Sequence, residues 1–373
     1  MMALSHPTSL KRKVLMTVDA AGGVWRYAMD LAIGLKQLDI ETVFLNFGPL
    51  PTPGQVTEAR SIGRLHISQA PLDWMVQDAE ALDKVPRVIA DTAVEEGVDL
   101  IHLNLPSQAA CLEVRVPVIV VAHSCVCTWF EVVRGQAVPQ DWRWHHALNR
   151  KGFDRADAVV MPSKSHAALS RRVYGPMEGV HVVYNASSSH ALAAKAEEEF
   201  VLAAGRWWDD GKNGVALDKA AFHLDWPVVM AGANRGPNAQ HVTLRNADHR
   251  GELCHADLMN LMQAAAIVVS PSLYEPFGLA ALEAARFGTA LVLSDIPTYR
   301  ELWEGAALFV DPHDPSAFVD AIRNLSQDRD LRRSLGEEAR KRSNTFTLPA
   351  QAQAVDRIYR QVLSRPPNLT AAE

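Results

Sequence analysis

Two glutamates at positions 275 and 283 lie in the stretch Ser270-Pro-Ser-Leu-Tyr-Glu-Pro-Phe-Gly-Leu-Ala-Ala-Leu-Glu-Ala284. A buried apolar run, Ile267–Val269, precedes it, and a helix is expected to open near Gly278. A glycine turn at a helix N-terminus presents free backbone N–H groups and the positive end of the helix dipole, and both suit a phosphate or diphosphate. Carboxylates do not attract phosphate, so Glu275 and Glu283 are expected to hydrogen-bond hydroxyl groups. A diphosphate between two hydroxyl-bearing groups describes a nucleotide sugar. The spacing of two glutamates alone is no signature, because it occurs on many surface helices.

With Pro271, Pro276, Phe277, Gly278 and Ala284 around the pair, the stretch resembles the signature of family 4 retaining glycosyltransferases, which have the GT-B fold. The resemblance implies that Phe277, Gly278, Leu279 and Ala280 line the donor, that Glu275 meets the donor sugar and that Glu283 meets the ribose. It extends to Arg206, after the run Phe200–Ala204, and to Lys212 six residues later. That pair is similar to the family's Arg…Lys pair, with arginine forking onto the leaving diphosphate and lysine acting as a point charge. Gly22 and Gly23 stand where the family has its glycine-rich loop. His123 matches a histidine at the equivalent strand end, and the segment around Gly251 and Leu253 resembles the loop beside the nucleotide base. Singly, these residues also read as solvated loop charges, a tight turn and a structural histidine. Departures are Asn185-Ala186 in place of Asn-Gly, His123-Ser124 in place of His-Asp, and the bulky Trp207-Trp208-Asp209-Asp210, expected to tune donor or acceptor choice.

The resemblance covers roughly residues 14 to 345. It implies a metal-independent reaction with a UDP-, GDP- or ADP-sugar as donor, no separate cofactor and no metal site. It also implies a hydroxyl-bearing acceptor, expected to be carbohydrate, and a front-face mechanism in which the leaving phosphate deprotonates that acceptor. Catalysis is expected to rest on Arg206, Lys212, Glu275 and His123. Two rivals stay open: a nucleotide-sugar epimerase on the same fold, and a non-catalytic sugar-nucleotide-binding subunit.

Such residues need strands that end at a common cleft. Short, nearly all-apolar runs alternate with amphipathic segments, which is the pattern of parallel sheets covered by helices. The first series comprises Val14–Val18, Thr42–Asn46, Leu100–Leu103, Val118–Ala122, Ala158–Met161 and Val180–Val183, with helices such as Val24–Leu38, Leu82–Glu96 and Ser163–Tyr174. The polar cluster Asn185–Ser189 and an Ala/Glu-rich stretch to Glu199 read as a linker. The second series is Phe200–Ala204, Val228–Ala231, Val242–Leu244, Ile267–Ser270, Ala290–Leu293 and Leu308–Val310. The expected fold is α/β with two doubly wound, Rossmann-like domains facing across a cleft. Residues 1–186 form the acceptor half and 187–348 the donor half, with a final helix at about 349–373 packing back on the first half.

Composition removes other classes. The 373 residues are 48% hydrophobic with a formal charge of −6, so a disordered chain and a polycationic nucleic-acid binder are excluded. No apolar run approaches the ~18 residues of a membrane span. Lys11-Arg12-Lys13 before Val14-Leu15-Met16 imitates a signal peptide, but Asp19 stops the apolar run, so the chain is read as cytoplasmic, with peripheral contact at the inner membrane face left open. Cys111, Cys125, Cys127 and Cys254 form no CxxC pair and read as reduced thiols. Trp129-Phe130 and Trp142 to His146 could stack on sugar or simply pack, and the adjacent His145 and His146 point to different sides of a helix.

Overall fold

The computed structural model describes residues 11–189, 197–237 and 239–365. β1 (Arg12–Asp19), β2 (Ile40–Phe47), β3 (Arg64–Ile67), β4 (Leu100–Leu103), β5 (Val118–Val121), β6 (Ala158–Met161) and β7 (Val180–Val182) form a parallel sheet in the order β3-β2-β1-β4-β5-β6-β7. β8 (Glu198–Ala204), β9 (Val228–Ala231), β10 (Asp248–Gly251), β11 (Ala265–Ser270), β12 (Ala290–Ser294) and β13 (Leu308–Val310) form a second, in the order β10-β9-β8-β11-β12-β13. Every pairing within both sheets is parallel among the described residues. Both orders reverse direction at their first strand, β1 in one sheet and β8 in the other. There the following connections leave to opposite faces and open a crevice at the carboxyl ends.

The central strands are all-apolar because both faces are covered. Val118, Ile119 and Val120 of β5 are fully buried, and successive residues feed separate core clusters on the two sides of the sheet. The second sheet divides its core in the same way.

Two strand expectations change. Val242–Leu244 is not a strand; β10 instead falls at Asp248–Gly251. The carboxylate of Asp218 accepts from the backbone N–H groups of Arg245, Asn246 and Ala247 at 2.9, 2.9 and 3.1 Å, which turns the chain before it can join the sheet. β10 is polar because it is an edge, and β3, not expected from the sequence, is an edge of the same kind. The helix expected at Leu82–Glu96 runs from Val85 to Glu96, with Pro86 in its first turn.

The helix Leu348–Leu363 returns to the first sheet. Ala352, Val355, Ile358, Tyr359 and Val362 join the cluster around Val14, Leu31 and Leu35, and Tyr359 Oη lies 2.7 Å from His102 Nδ1. The expected extension beyond residue 365 and the expected linker residues 190–196 lie outside the described residues.

Polar contacts close the two halves on each other. Thr128 Oγ1 lies 2.8 Å from Tyr274 Oη, and Trp129 Nε1 donates to Asp209 Oδ1 at 2.8 Å. Ser163 Oγ donates to the Pro276 carbonyl at 2.7 Å. Glu301 accepts from the backbone N–H groups of Lys164 and Ser165 at 2.8 and 2.7 Å, so an acid of the second half caps the helix Lys164–Tyr174 of the first.

Candidate active site

The loops after β1 and β8 meet across the crevice. Gly22, at φ 98°, precedes the helix Gly23–Lys36. A Cβ there would lie 3.5 Å from Arg206 Nη1, and one on Gly23 would lie 3.5 Å from Leu279 Cδ1. At Gly22 it is the positive φ that calls for glycine, and the loop lies in van der Waals reach of the arginine. Arg206 sits over the Trp208 ring at 5.4 Å and 3.7 Å from Asp209. Asp19, just before the glycines, is pushed up to about 6 by burial, and the Arg206 guanidinium opposes that rise.

Lys212 is positioned by its neighbour. Asn213, at φ 54°, donates through Nδ2 to the carbonyls of Pro271 and Pro312 at 3.0 and 2.8 Å, pinning this loop to the ends of β11 and β13. Leu273 N–H donates to the Gly211 carbonyl at 2.8 Å. Lys212 Nζ then reaches Glu275 Oε2 at 2.5 Å, with both side chains partly exposed. Gly278, at φ 91°, precedes the helix Leu279–Phe287, and a Cβ there would strike the Tyr299 ring at 2.7 Å. No side chain caps that helix start, so its first N–H groups are not taken by a capping side chain.

Glu283 is buried one turn further along and faces the first half. Burial pushes its carboxyl up to about 8; the nearby Asp30 adds to the rise and Arg26 opposes it. Arg26 itself is held by Asp30 at 2.8 Å and Glu58 at 2.6 Å.

His123 ends β5 on a chain of hydrogen bonds. Asn104 Nδ2 donates to the Thr17 carbonyl at 2.6 Å, which leaves Asn104 Oδ1 to accept from His123 Nε2 at 2.9 Å. Nδ1 therefore carries the lone pair, an assignment made from the network. Thr17 Oγ1 donates to Gln108 Oε1 at 2.7 Å and accepts from Asn104 N–H at 2.9 Å. The His123 ring meets the edge of Tyr27 at 4.3 Å. Burial drives its pKa down to about 3, so the imidazole is neutral at physiological pH.

Arg206, Lys212, Glu275, Gly278, Leu279, Gly22 and Gly23 thus come together. Phe277 packs its ring in the core, 5.7 Å from Phe346, and only its main chain remains near the cleft. Gly251 ends the edge strand β10 at φ 64° with open space beside it, and its carbonyl accepts from Gly232 N–H at 2.7 Å; Leu253 is half-buried just beyond. Ala280 is half-buried in the first turn of its helix. Trp207 is core, donating to the Ala231 carbonyl at 3.0 Å, so that bulk supports the β8 loop.

The aromatic region packs on itself. Phe130 meets Trp142 at 5.8 Å, Trp144 stacks on His145 at 3.6 Å, and His146 stacks on Tyr174 at 4.8 Å. Among the described residues no group of three or more His, Cys, Asp or Glu side chains could hold a metal ion. No helix among them is long and apolar enough to cross a membrane. Sequence reasoning missed Asn104, Thr17 and Gln108, which aim His123; their polarity at strand ends was the available signal. Asp19 was legible only as the charge that stops the first apolar run.

Two doubly wound sheets joined over a crevice, with cations and an open helix N-terminus on one wall and a glycine loop on the other, define the GT-B architecture. The model for Glycosyltransferase Family 4 matches residues 21–187 and that for Glycosyl transferases group 1 matches residues 215–342. The chain belongs to this glycosyltransferase family. A D-inositol 3-phosphate glycosyltransferase from Paenarthrobacter aurescens (strain TC1) is 32% identical over 217 residues, 55% of this chain and 50% of that protein. The chain spans half or less of the curated relatives it matches first. Sucrose-phosphate synthase from Thermosynechococcus elongatus superposes with a TM-score of 0.78 at 19% identity, over 95% of this chain and 99% of that one. The HepE protein of Anabaena in complex with UDP-glucose gives 0.72 at 16% identity, over 95% and 100%.

Proposed function

We propose that the chain is a retaining, metal-independent glycosyltransferase moving a sugar from a nucleoside-diphosphate sugar to a hydroxyl acceptor. The observation that carries this reading is the convergence of Arg206, Lys212, the helix start at Gly278 and the Gly22-Gly23 loop on one crevice. Residues 187–348 hold the donor, and residues 1–186, on which the helix Leu348–Leu363 packs, hold the acceptor. Arg206 forks onto the diphosphate. Lys212 has three N–H donors, so it keeps Glu275 and still serves a phosphate oxygen. The N–H groups at the start of the helix Leu279–Phe287 complete the cradle.

As the glycosidic bond breaks, negative charge grows on the diphosphate and the sugar becomes oxocarbenium-like. Preorganised cations and N–H groups stabilise that charge without reorganising. The leaving phosphate takes the acceptor's proton on the face it departs from, and no protein nucleophile is required. Glu275 meets the sugar hydroxyls, Glu283 the ribose, and Gly251 and Leu253 the base. His123 is neutral with Nε2–H committed to Asn104, so its part is to accept a sugar hydroxyl at Nδ1. The same reading makes the chain cytoplasmic, with peripheral membrane contact open, and rests there on its four free cysteines.

The test is a thermal-shift screen of UDP, GDP and ADP with their sugars, UDP-glucose first, because ligands that bind only the native state raise its stability. One nucleotide class should raise the midpoint, and the bound donor should persist without acceptor apart from slow hydrolysis. Conversion of the donor sugar to its epimer in the absence of any acceptor would replace this reading with the epimerase.

A further inference from the structure

The loop that carries both cations turns on Asp209. Its N–H donates to the Arg206 carbonyl at 2.9 Å, and its carbonyl accepts from Lys212 N–H at 2.8 Å. Its carboxylate is mostly buried, and Oδ1 accepts from Gly211 N–H at 2.9 Å as well as from the Trp129 indole across the cleft. Those two donors fix the group so that Oδ2 is the oxygen facing Arg206, at 3.7 Å. The arginine is not used up at that range, and 40% of its side chain stays exposed. Trp129 lies close against the loop, since a Cβ on Gly211 would stand 2.8 Å from its Nε1. Arg134 stacks over the Trp129 ring at 4.8 Å and pairs with Asp210. One short segment of the first half, Trp129 to Arg134, thus grips residues 209–211, which lie between the two cations of the second.

Neither half completes this arrangement alone. Without the indole, Oδ1 keeps only its local N–H, and nothing from the first half holds the carboxylate in that orientation. Cations stabilise a leaving group best when they are already in place as its charge develops. We infer that Trp129 is a positioning residue: closure of the halves seats its N–H on Asp209, and only then is the Arg206–Lys212 loop fixed for the leaving diphosphate. The inference rests on the transferase reading above and deepens it. It also gives the Trp207–Asp210 departure a physical use, because Trp207 anchors the loop in the core while Asp209 and Asp210 take the grip of the other half.

The experiment compares the full chain with Trp129→Phe, which keeps an aromatic ring and removes the N–H, using the donor selected by thermal shift. Transfer to acceptor and the slow hydrolysis of donor without acceptor are both measured, since both need the leaving diphosphate stabilised. Trp129→Phe should lower kcat for transfer at least about tenfold and hydrolysis by a similar factor, because small errors of placement weigh heavily on rate. The acceptor KM should move less than about twofold. Asp209→Ala removes the same bond from the other side and should behave alike, and the double variant should lose no more than the worse single one, as a shared contact requires. A Trp129→Phe enzyme within about twofold of the parent overturns the inference. So does one that keeps hydrolysis while the acceptor KM rises, which would make the ring a sugar platform, and so does a double variant whose losses multiply. Should Trp129→Phe fail to fold, hydrolysis by Asp209→Ala within about twofold of the parent overturns it. A parent that binds no nucleotide sugar strikes the transferase reading, and this inference with it.

Discussion

Lys212 Nζ and Glu275 Oε2 stand 2.5 Å apart, joining a cation from the loop after β8 to an acid from the loop after β11. The pair ties the group assigned to the leaving diphosphate to the group assigned to the transferred sugar. Two side chains in direct contact do not act independently. Glu275→Gln should therefore disturb Lys212 as well as the sugar, and the double variant Lys212→Ala/Glu275→Gln should lose less than the product of the single losses. A cycle of kcat/KM values that multiplies out would show that the contact has no functional weight.

Arg206 and Lys212 should matter most when the diphosphate gains charge. Removing one preorganised donor of this kind costs about 3 kcal/mol, roughly a hundredfold in rate. Lys212→Ala and Arg206→Ala are each expected to lower kcat that much while donor affinity falls less, and Arg206→Lys should recover only part, lacking the fork. Changes under about twofold, the range of neutral surface substitutions, would make both residues solvated loop charges.

The two glutamates should separate by ligand. Glu283→Ala is expected to weaken UDP and UDP-sugar alike, because its partner is the ribose. Glu275→Ala should weaken the intact sugar nucleotide far more than UDP. Calorimetry giving both variants the same loss for both ligands would remove the assignment.

Glu283 also links pH to stability. Its ordinary value is 4.5, and burial holds it at about 8 in the folded chain. Between those values the folded state keeps a proton that the unfolded chain has released, so this group's contribution to stability falls as pH rises through the window. Glu283→Gln cannot ionise. Its melting temperature should gain on the parent's as pH goes from 5 to 8, and parallel curves would mean that the carboxyl ionises freely.

Turnover should survive excess EDTA, since side-chain cations occupy the role a metal would fill. The product should keep the donor's anomeric configuration. Loss of activity restored by Mg²⁺ or Mn²⁺, read in the same assay, counts against the first; an inverted anomeric signal in the proton NMR of early product counts against the second.

The fold was legible where strands are buried on both faces. Leu100–Leu103 and Ala158–Met161 end where the apolar runs end. Edges were not legible: β3 and β10 are polar because solvent covers them, and Val242–Leu244 looked like a strand until Asp218 is seen collecting three amides from the following turn. In the site, motif residues were readable because glycine, arginine and paired acids carry chemistry at fixed spacings. The supports were not. Asn104 orients His123 from a neighbouring strand, and no local pattern announces a contact made across a sheet. Trp129, which could stack on sugar or simply pack, holds the two halves together, and Trp207, expected to tune donor or acceptor choice, packs in the core.

At the start of the helix Lys164–Tyr174 the N–H groups of Lys164 and Ser165 donate to Glu301 across the cleft, and the N–H of His166 donates to Ser163 Oγ at 3.0 Å. The end of that helix is thus a shared part, finished only when the halves are shut. Any swing that admits substrate withdraws Glu301 and leaves the amides of Lys164 and Ser165 to water. Losing a cap costs about 1 kcal/mol, so parting of the halves would loosen this one helical turn. Deuterium uptake at those two amides becomes a clock for opening, and it should slow when a bound donor holds the halves together.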